Sequence, residues 1–214
     1  MSETRSIYLA GELFSAKHLA GNAALAEEMG RVSEGRFRCV LPQDLPQGAS
    51  ARRIRDEDLR ALMRCDAAVF HYDGLELDSG TVVEYLFAKF ADMPAVLLRT
   101  DFRNAGDQAG GDPWNLMTSF YPRTETVRLN SMEIYQEALR TGAGSTAAAS
   151  EMMRRVAGEV CAALEKVMGQ PAVLPRAIGA AVYEWLGKMP GFEEAGVAEE
   201  IREIYAEKVE RGML

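Results

Sequence analysis

Apolar residues fall into short unbroken runs, separated by longer stretches in which they recur at helical spacing, over roughly the first 130 residues. Ser6–Ala10, Phe37–Leu41, Asp66–Tyr72, Ala95–Arg99 and Thr124–Leu129 read as strands. Ser15–Gly30, Ala51–Arg64 and Ser79–Ala91 read as helices; in the second, Ile54, Leu59, Leu62 and Met63 share a face. Strands alternating with helices predict βαβ units, hence an α/β fold with a doubly wound parallel five-stranded sheet. Beyond residue 130 the pattern turns helical. Met132–Leu139 and Ser150–Met168 are helices separated by the small-residue stretch Thr141–Ala149. After the break Gln170–Pro175 come two more, Arg176–Lys188 and Glu193–Arg211. The expected organisation is an α/β domain over residues 1–168 and a helical C-terminal extension over 169–214. Trp185, Leu186, Ile201 and Tyr205 of the extension read as a face packed on the main domain or on another subunit.

Composition narrows the function classes. A hydrophobic fraction of 48% and a charged fraction of 26% suit an ordinary globular chain of 214 residues. The formal net charge of −8 opposes binding to a phosphate backbone, so no nucleic-acid partner is expected. Met1–Arg5 lacks an apolar leader core, and no apolar run reaches the roughly 18 residues of a membrane span. Cys39, Cys65 and Cys161 are scattered among apolar neighbours and read as buried free thiols in a reducing compartment. A cytoplasmic protein without membrane contact is expected. His18 and His71, the only histidines, have no metal-ligand spacing, so no metal is expected. No GxGxxG, Walker or GxSxG pattern is present, and no organic cofactor is expected either.

The segment Asp78-Ser79-Gly80-Thr81-Val82-Val83-Glu84 carries the most chemistry. It joins an apolar strand to a helix through a glycine-containing turn, at the carboxyl end of a sheet where open α/β folds bind small ligands. Two carboxylates in different surroundings there can divide the work of breaking a glycosidic bond.

Four segments, in order, resemble the nucleoside 2-deoxyribosyltransferase family: Ile7-Tyr8-Leu9-Ala10-Gly11-x-Leu13-Phe14, Asp58-Leu59 followed by Cys65-Asp66, Asp78-Ser79-Gly80-Thr81-x-x-Glu84, and Asn115-Leu116-Met117. The resemblance covers residues 7 to about 130 and implies a flavodoxin-like fold. It also implies transfer of a 2-deoxyribosyl group between nucleobases, a reaction of nucleotide salvage, through a covalent glycosyl–glutamate ester.

On that resemblance Glu84 is the nucleophile, held by a hydrogen bond from Tyr8 and by the nearby helix N-terminus. Asp58 contacts the base and passes a proton to it. Asp78 accepts from the sugar's 5′-hydroxyl, and a carboxylate there repels a 5′-phosphate. Asn115 reaches the 5′-hydroxyl of a neighbouring subunit's substrate, so a homo-oligomer, dimer or larger, is implied. Gly11, Phe14 and Met117 complete the substrate contacts. Each residue also has a plainer reading. Glu84 is an exposed helix glutamate, Asp78 a cap or turn aspartate, Asp58 part of a solvated acidic helix start with Asp56 and Glu57, Asn115 a turn residue and Phe14 core. Ser79 is a second candidate cap.

Two departures from the family pattern stand out. The residue after the nucleophile is commonly glycine but here is Tyr85, and the chain runs on to Leu214, well beyond the short members. Arg52, Arg53 and Arg55 form either a solvated face or a phosphate receiver. Three functions follow: transfer between unphosphorylated 2′-deoxynucleosides and free bases, N-glycosidic hydrolysis of nucleosides or their 5′-monophosphates, or sensing of a nucleoside derivative without turnover.

Overall fold

The computed structural model describes residues 3–46, 50–103 and 106–214. The segment Leu41–Ser50, with two prolines and a glycine, reads from sequence as a loop long and polar enough to cover a site; its residues 47–49 lie outside the described residues, as do Met1, Ser2, Asn104 and Ala105. Five strands, β1 (Arg5–Ala10), β2 (Phe37–Val40), β3 (Ala67–His71), β4 (Ala95–Arg99) and β5 (Thr124–Arg128), form one sheet in the order β2-β1-β3-β4-β5. Every pairing is parallel. This is the flavodoxin-like order, and its direction of winding reverses between β1 and β3.

Side chains alternate across the sheet, so each strand feeds two cores. Ile7 and Leu9 point to one face, where α1 (Ala16–Val32) and α5 (Ser145–Met168) cover them with Leu25, Met29, Val156 and Val160. Tyr8 and Ala10 point to the other, beneath α2 (Ala51–Arg64) and α3 (Ser79–Phe90). Helix α4 (Ser131–Arg140) packs on α5. The last helices, α6 (Arg176–Lys188) and α7 (Val197–Glu210), pack on each other and bury Tyr183, Leu186, Ile201 and Ile204 in the Tyr8 core. Polar ties fix the pair. Lys208 Nζ donates to Cys65 O at 2.7 Å, Tyr183 Oη to Ala91 O at 2.8 Å, and Glu193 N to Asp56 Oδ2 at 2.8 Å.

Several boundaries differ from those expected. Helix α5 starts at Ser145 rather than Ser150, because half of the run Ser145–Ser150 is alanine, the best helix former. Helix α7 starts at Val197 rather than Glu193, since Glu193 N is bound to Asp56 and Gly196 takes a left-handed conformation, φ 93°. Helix α1 runs to Val32 before its chain turns. No helix among the described residues is long and apolar enough to cross a membrane. Cys39, Cys65 and Cys161 are free, and burial pushes the Cys39 and Cys65 thiols up to about 12, which keeps both unreactive.

Candidate active site

Tyr8 is fully buried near the carboxyl end of β1, on the face covered by α2 and α3. Its hydroxyl donates to Glu84 Oε1 at 2.7 Å. Burial and the Glu84 charge push the phenol well above its ordinary range, so Tyr8 stays protonated and donating. Glu84 itself is half-buried on α3. Burial pushes its carboxyl up to about 7; the Tyr8 hydrogen bond opposes this, while the charges of Asp58 and Asp78 add to it.

Asp58 lies half-buried on α2, and burial, followed by the Glu57 charge, raises its carboxyl to about 6. Asp58 and Asp78 thus both lie close enough for their charges to act on Glu84. The plain alternative for Asp58, a solvated acidic stretch, does not describe its neighbours. Asp56 is only 5% exposed and takes bonds from Arg55 and Glu193 N, while Glu57 pairs with Arg60.

Asp78 is the N-cap of α3. Its Oδ2 accepts from Thr81 N and Thr81 Oγ1, both at 2.8 Å, so of the two candidate caps, Asp78 and Ser79, it is Asp78 that caps the helix. The carboxylate folds back over Gly80, where an added Cβ would lie 3.1 Å from Oδ2. That explains the Asp-Ser-Gly-Thr order: a larger residue at position 80 crowds the cap. Glu84 is the sixth residue of α3, beyond the first turn over which a helix dipole acts. Tyr8, rather than the helix N-terminus, is therefore what holds Glu84.

The remaining sequence candidates fall elsewhere. Gly11 follows β1 and lies against His71; a Cβ there would meet His71 Cβ at 3.0 Å, so only glycine fits without displacement. Phe14 is 75% exposed, not core. Asn115 is exposed, and its Oδ1 accepts from Met117 N at 2.9 Å, capping a short 3-10 turn at Leu116–Thr118. Met117 is 69% exposed. Both line a groove of about 410 Å³ with Leu77, Val82, Leu86 and Trp114. Val82 and Leu86 are offset from Glu84 by about 160–200° around a helix turning 3.6 residues per turn, so within one chain this groove is on the far side of α3. The structure brings Tyr8, Asp58, Asp78 and Glu84 together and places Asn115 and Met117 in the groove on the other flank of α3 from Glu84.

Tyr85 fills core rather than pocket. It packs edge-to-face on Phe70, with ring centroids 5.2 Å apart, and on Tyr121 at 5.6 Å. The three arginines are engaged as well: Arg52 donates to Gly191 O at 2.6 Å, Arg53 lies 3.6 Å from Glu193, and Arg55 pairs with Asp56. They brace α2 against the chain between α6 and α7, and a phosphate would have to displace those partners.

Asp73 is a residue that sequence reasoning passed over. It accepts from Thr100 N at 2.6 Å and Asp101 N at 2.9 Å, and pairs with His71 Nε2 at 2.9 Å, tying together the carboxyl ends of β3 and β4. Burial works against its charge, but hydrogen bonds from His71 and Thr100 outweigh it and hold the carboxyl well below the usual range. The spacing His71-x-Asp73-Gly74 directly after a strand was the available signal.

Among solved structures, a "conserved protein from Enterococcus faecalis V583" is 20% identical, with a TM-score of 0.47 over 76% of this chain and 98% of that one. A "2-desoxiribosyltransferase from Leishmania mexicana" is 21% identical, also at 0.47, over 65% of this chain and 99% of that one. No curated protein matches the chain. The family model described as nucleoside 2-deoxyribosyltransferase matches residues 7–117 and spans Tyr8, Asp58, Asp78, Glu84 and Asn115. With more than half its length under that model, the chain belongs to the nucleoside 2-deoxyribosyltransferase family.

Proposed function

We propose that this protein moves a 2-deoxyribosyl group between nucleobases through an ester on Glu84, and that its substrates are unphosphorylated 2′-deoxynucleosides. The contact between Tyr8 Oη and Glu84 Oε1 carries the proposal. It holds one carboxylate oxygen and leaves Oε2 to attack C1′ of the sugar. As the C1′–O bond forms, the C1′–N bond breaks and its electron pair leaves on the base nitrogen, to which Asp58 gives a proton. An incoming base then attacks C1′ from the vacated side, returns a proton to Asp58 and releases the Glu84 carboxylate. Two inversions give net retention.

The carboxyl at about 6 supports an acid role for Asp58, and the carboxyl at about 7 gives Glu84 an ionised population at neutral pH. Asp78 has one oxygen committed to Thr81 and a second for the 5′-hydroxyl. Its charge disfavours a 5′-phosphate. Because Asn115 and Met117 lie across α3 from Glu84, they would serve the site of a neighbouring copy, and the working form would be a homo-oligomer.

The test is incubation with a 2′-deoxynucleoside and a different free base, with chromatography of the products. A new deoxynucleoside is expected. Base release without exchange would make water the acceptor, and saturable nucleoside binding without release would make the protein a sensor; either result overturns the proposal.

A further inference from the structure

The carboxyl edge of the sheet holds a second concavity, on the face opposite Tyr8 and Glu84. It is a cavity of about 230 Å³. The residues leaving β1, β3 and β4 line one side: Glu12, His71, Asp73 and Thr100. Helices α1 and α5 line the other with Gly21, Leu25, Met153 and Val156. We propose that this cavity is a second ligand site, one that takes a small heteroaromatic base bearing an exocyclic amine.

Location is the first reason. The cavity opens beside the strand pair β1 and β3, where the winding of the sheet reverses and open α/β sheets present their ligand crevice. The Glu84 cluster occupies one face of that crevice and the cavity the other.

The second reason is the pattern of free acceptors. Both histidines of the chain line this one cavity, and each faces a carboxylate through Nε2: His71 with Asp73 at 2.9 Å, His18 with Glu12 at 3.4 Å. A neutral imidazole that donates Nε2–H to a carboxylate must carry a lone pair on Nδ1. His18 Nδ1 is buried and has no hydrogen-bond partner. Asp73 is saturated by His71, Thr100 and Asp101, whereas Glu12 keeps capacity to accept. Beside the donors of Lys17 and Ser131, the cavity therefore presents unpaired acceptor capacity at His18 and Glu12, which a ligand with N–H donors would satisfy.

Size and lining supply the third. The volume is below the roughly 300–1,000 Å³ of sites for drug-sized ligands and suits one ring system. Met152 and Met153 add thioethers, which favour contact with aromatic rings. An amino-substituted base meets all three conditions. Its occupancy would engage Glu12, in the turn between Gly11 and Phe14.

The test uses the two imidazoles as reporters, since no other histidine contributes. Adenine and cytosine are titrated into the full-length protein while the histidine ring resonances are followed by NMR, with hypoxanthine and uracil as oxo-substituted controls. Saturable shifts of both histidines are expected with the amino bases, in the parent and equally in Glu84→Ala. Gly21 lines the cavity, and a Cβ added there meets no heavy atom within 4 Å, so Gly21→Leu should fill the space without a clash. That variant, and Met152→Trp from the other wall, should weaken the response by about tenfold or more. No response in the parent, or an unchanged response in whichever of the two variants folds, overturns the proposal. Base exchange is assayed separately, so a failure of Glu84 chemistry leaves this result standing, and the reverse holds too.

Discussion

The hydroxyl of Tyr8 and Oε1 of Glu84 are 2.7 Å apart although 76 residues separate them in the chain. One comes from near the carboxyl end of β1 and the other from the second turn of the helix that follows β3. Their meeting depends on β1 and β3 being neighbours, so the fold itself assembles the pair. A hydrogen bond to a charged group is worth about 1.5–3 kcal/mol, enough to decide the protonation state of a half-buried carboxyl.

Removing the phenol tests that relationship. Tyr8→Phe takes away the one interaction that lowers the Glu84 pKa among those acting on it. Because Asp58 titrates below Glu84, the alkaline limb of kcat/KM should move to higher pH, and the maximum should fall by about 10- to 100-fold. An unmoved limb would show that Tyr8 does not govern the Glu84 proton.

Glu84→Gln separates chemistry from stability. Exchange should be lost. The folded carboxyl titrates near 7 against an ordinary 4.5, so between those values the native state holds more proton than the unfolded chain. Stability contributed by this group is then greatest below pH 4.5 and declines as pH rises through 7. The glutamine variant removes the decline, and at pH 8 it should be more stable than the parent by about 1–3 kcal/mol in urea titration.

The pH profile of the parent should be bell-shaped. The proposed reaction needs Glu84 ionised and Asp58 protonated, yet Glu84 titrates near 7 and Asp58 near 6. The productive form is thus a minority species in which the proton sits on the stronger acid. The kcat/KM maximum should lie between about 6 and 7, the two limbs belonging to the coupled pair. Asp58→Asn should flatten the alkaline limb.

Asp78 has two duties that substitutions can divide. Asp78→Ala loses the cap on Thr81 and should cost about 1 kcal/mol of stability. Asp78→Asn keeps a capping oxygen and should fold as well as the parent. It should nonetheless weaken nucleosides more than their 5′-monophosphates, as judged by KM for each.

The inner strands β1, β3 and β4 were legible because they are buried on both faces and show as apolar runs; Ala95–Arg99 matches residue for residue. Helix starts were harder. The alanine-rich opening of α5 carries no periodicity, and Glu193 is kept out of α7 by Asp56, a contact 137 residues away. The Tyr8–Glu84 pairing came from family resemblance, since nothing in local spacing relates position 8 to position 84. The cap at Asp78 was ambiguous because Ser79 is an equally good capping type; backbone geometry at Gly80 decided it. Asp73 left only the weak signal of its spacing after a strand, and the shared cavity of His18 and His71 left none, since it arises where three strand exits converge.

The gathering of Asp58, Asp78 and Glu84 has a use outside catalysis. Three acidic groups acting on one another create a field that favours positive charge where they meet, and breaking an N-glycosidic bond places partial positive charge on the sugar ring. A protonated ring-nitrogen sugar mimic would meet that field already charged. Such cationic mimics, rather than neutral nucleoside analogues, should be the inhibitors this protein grips hardest, with affinity growing as Glu84 ionises.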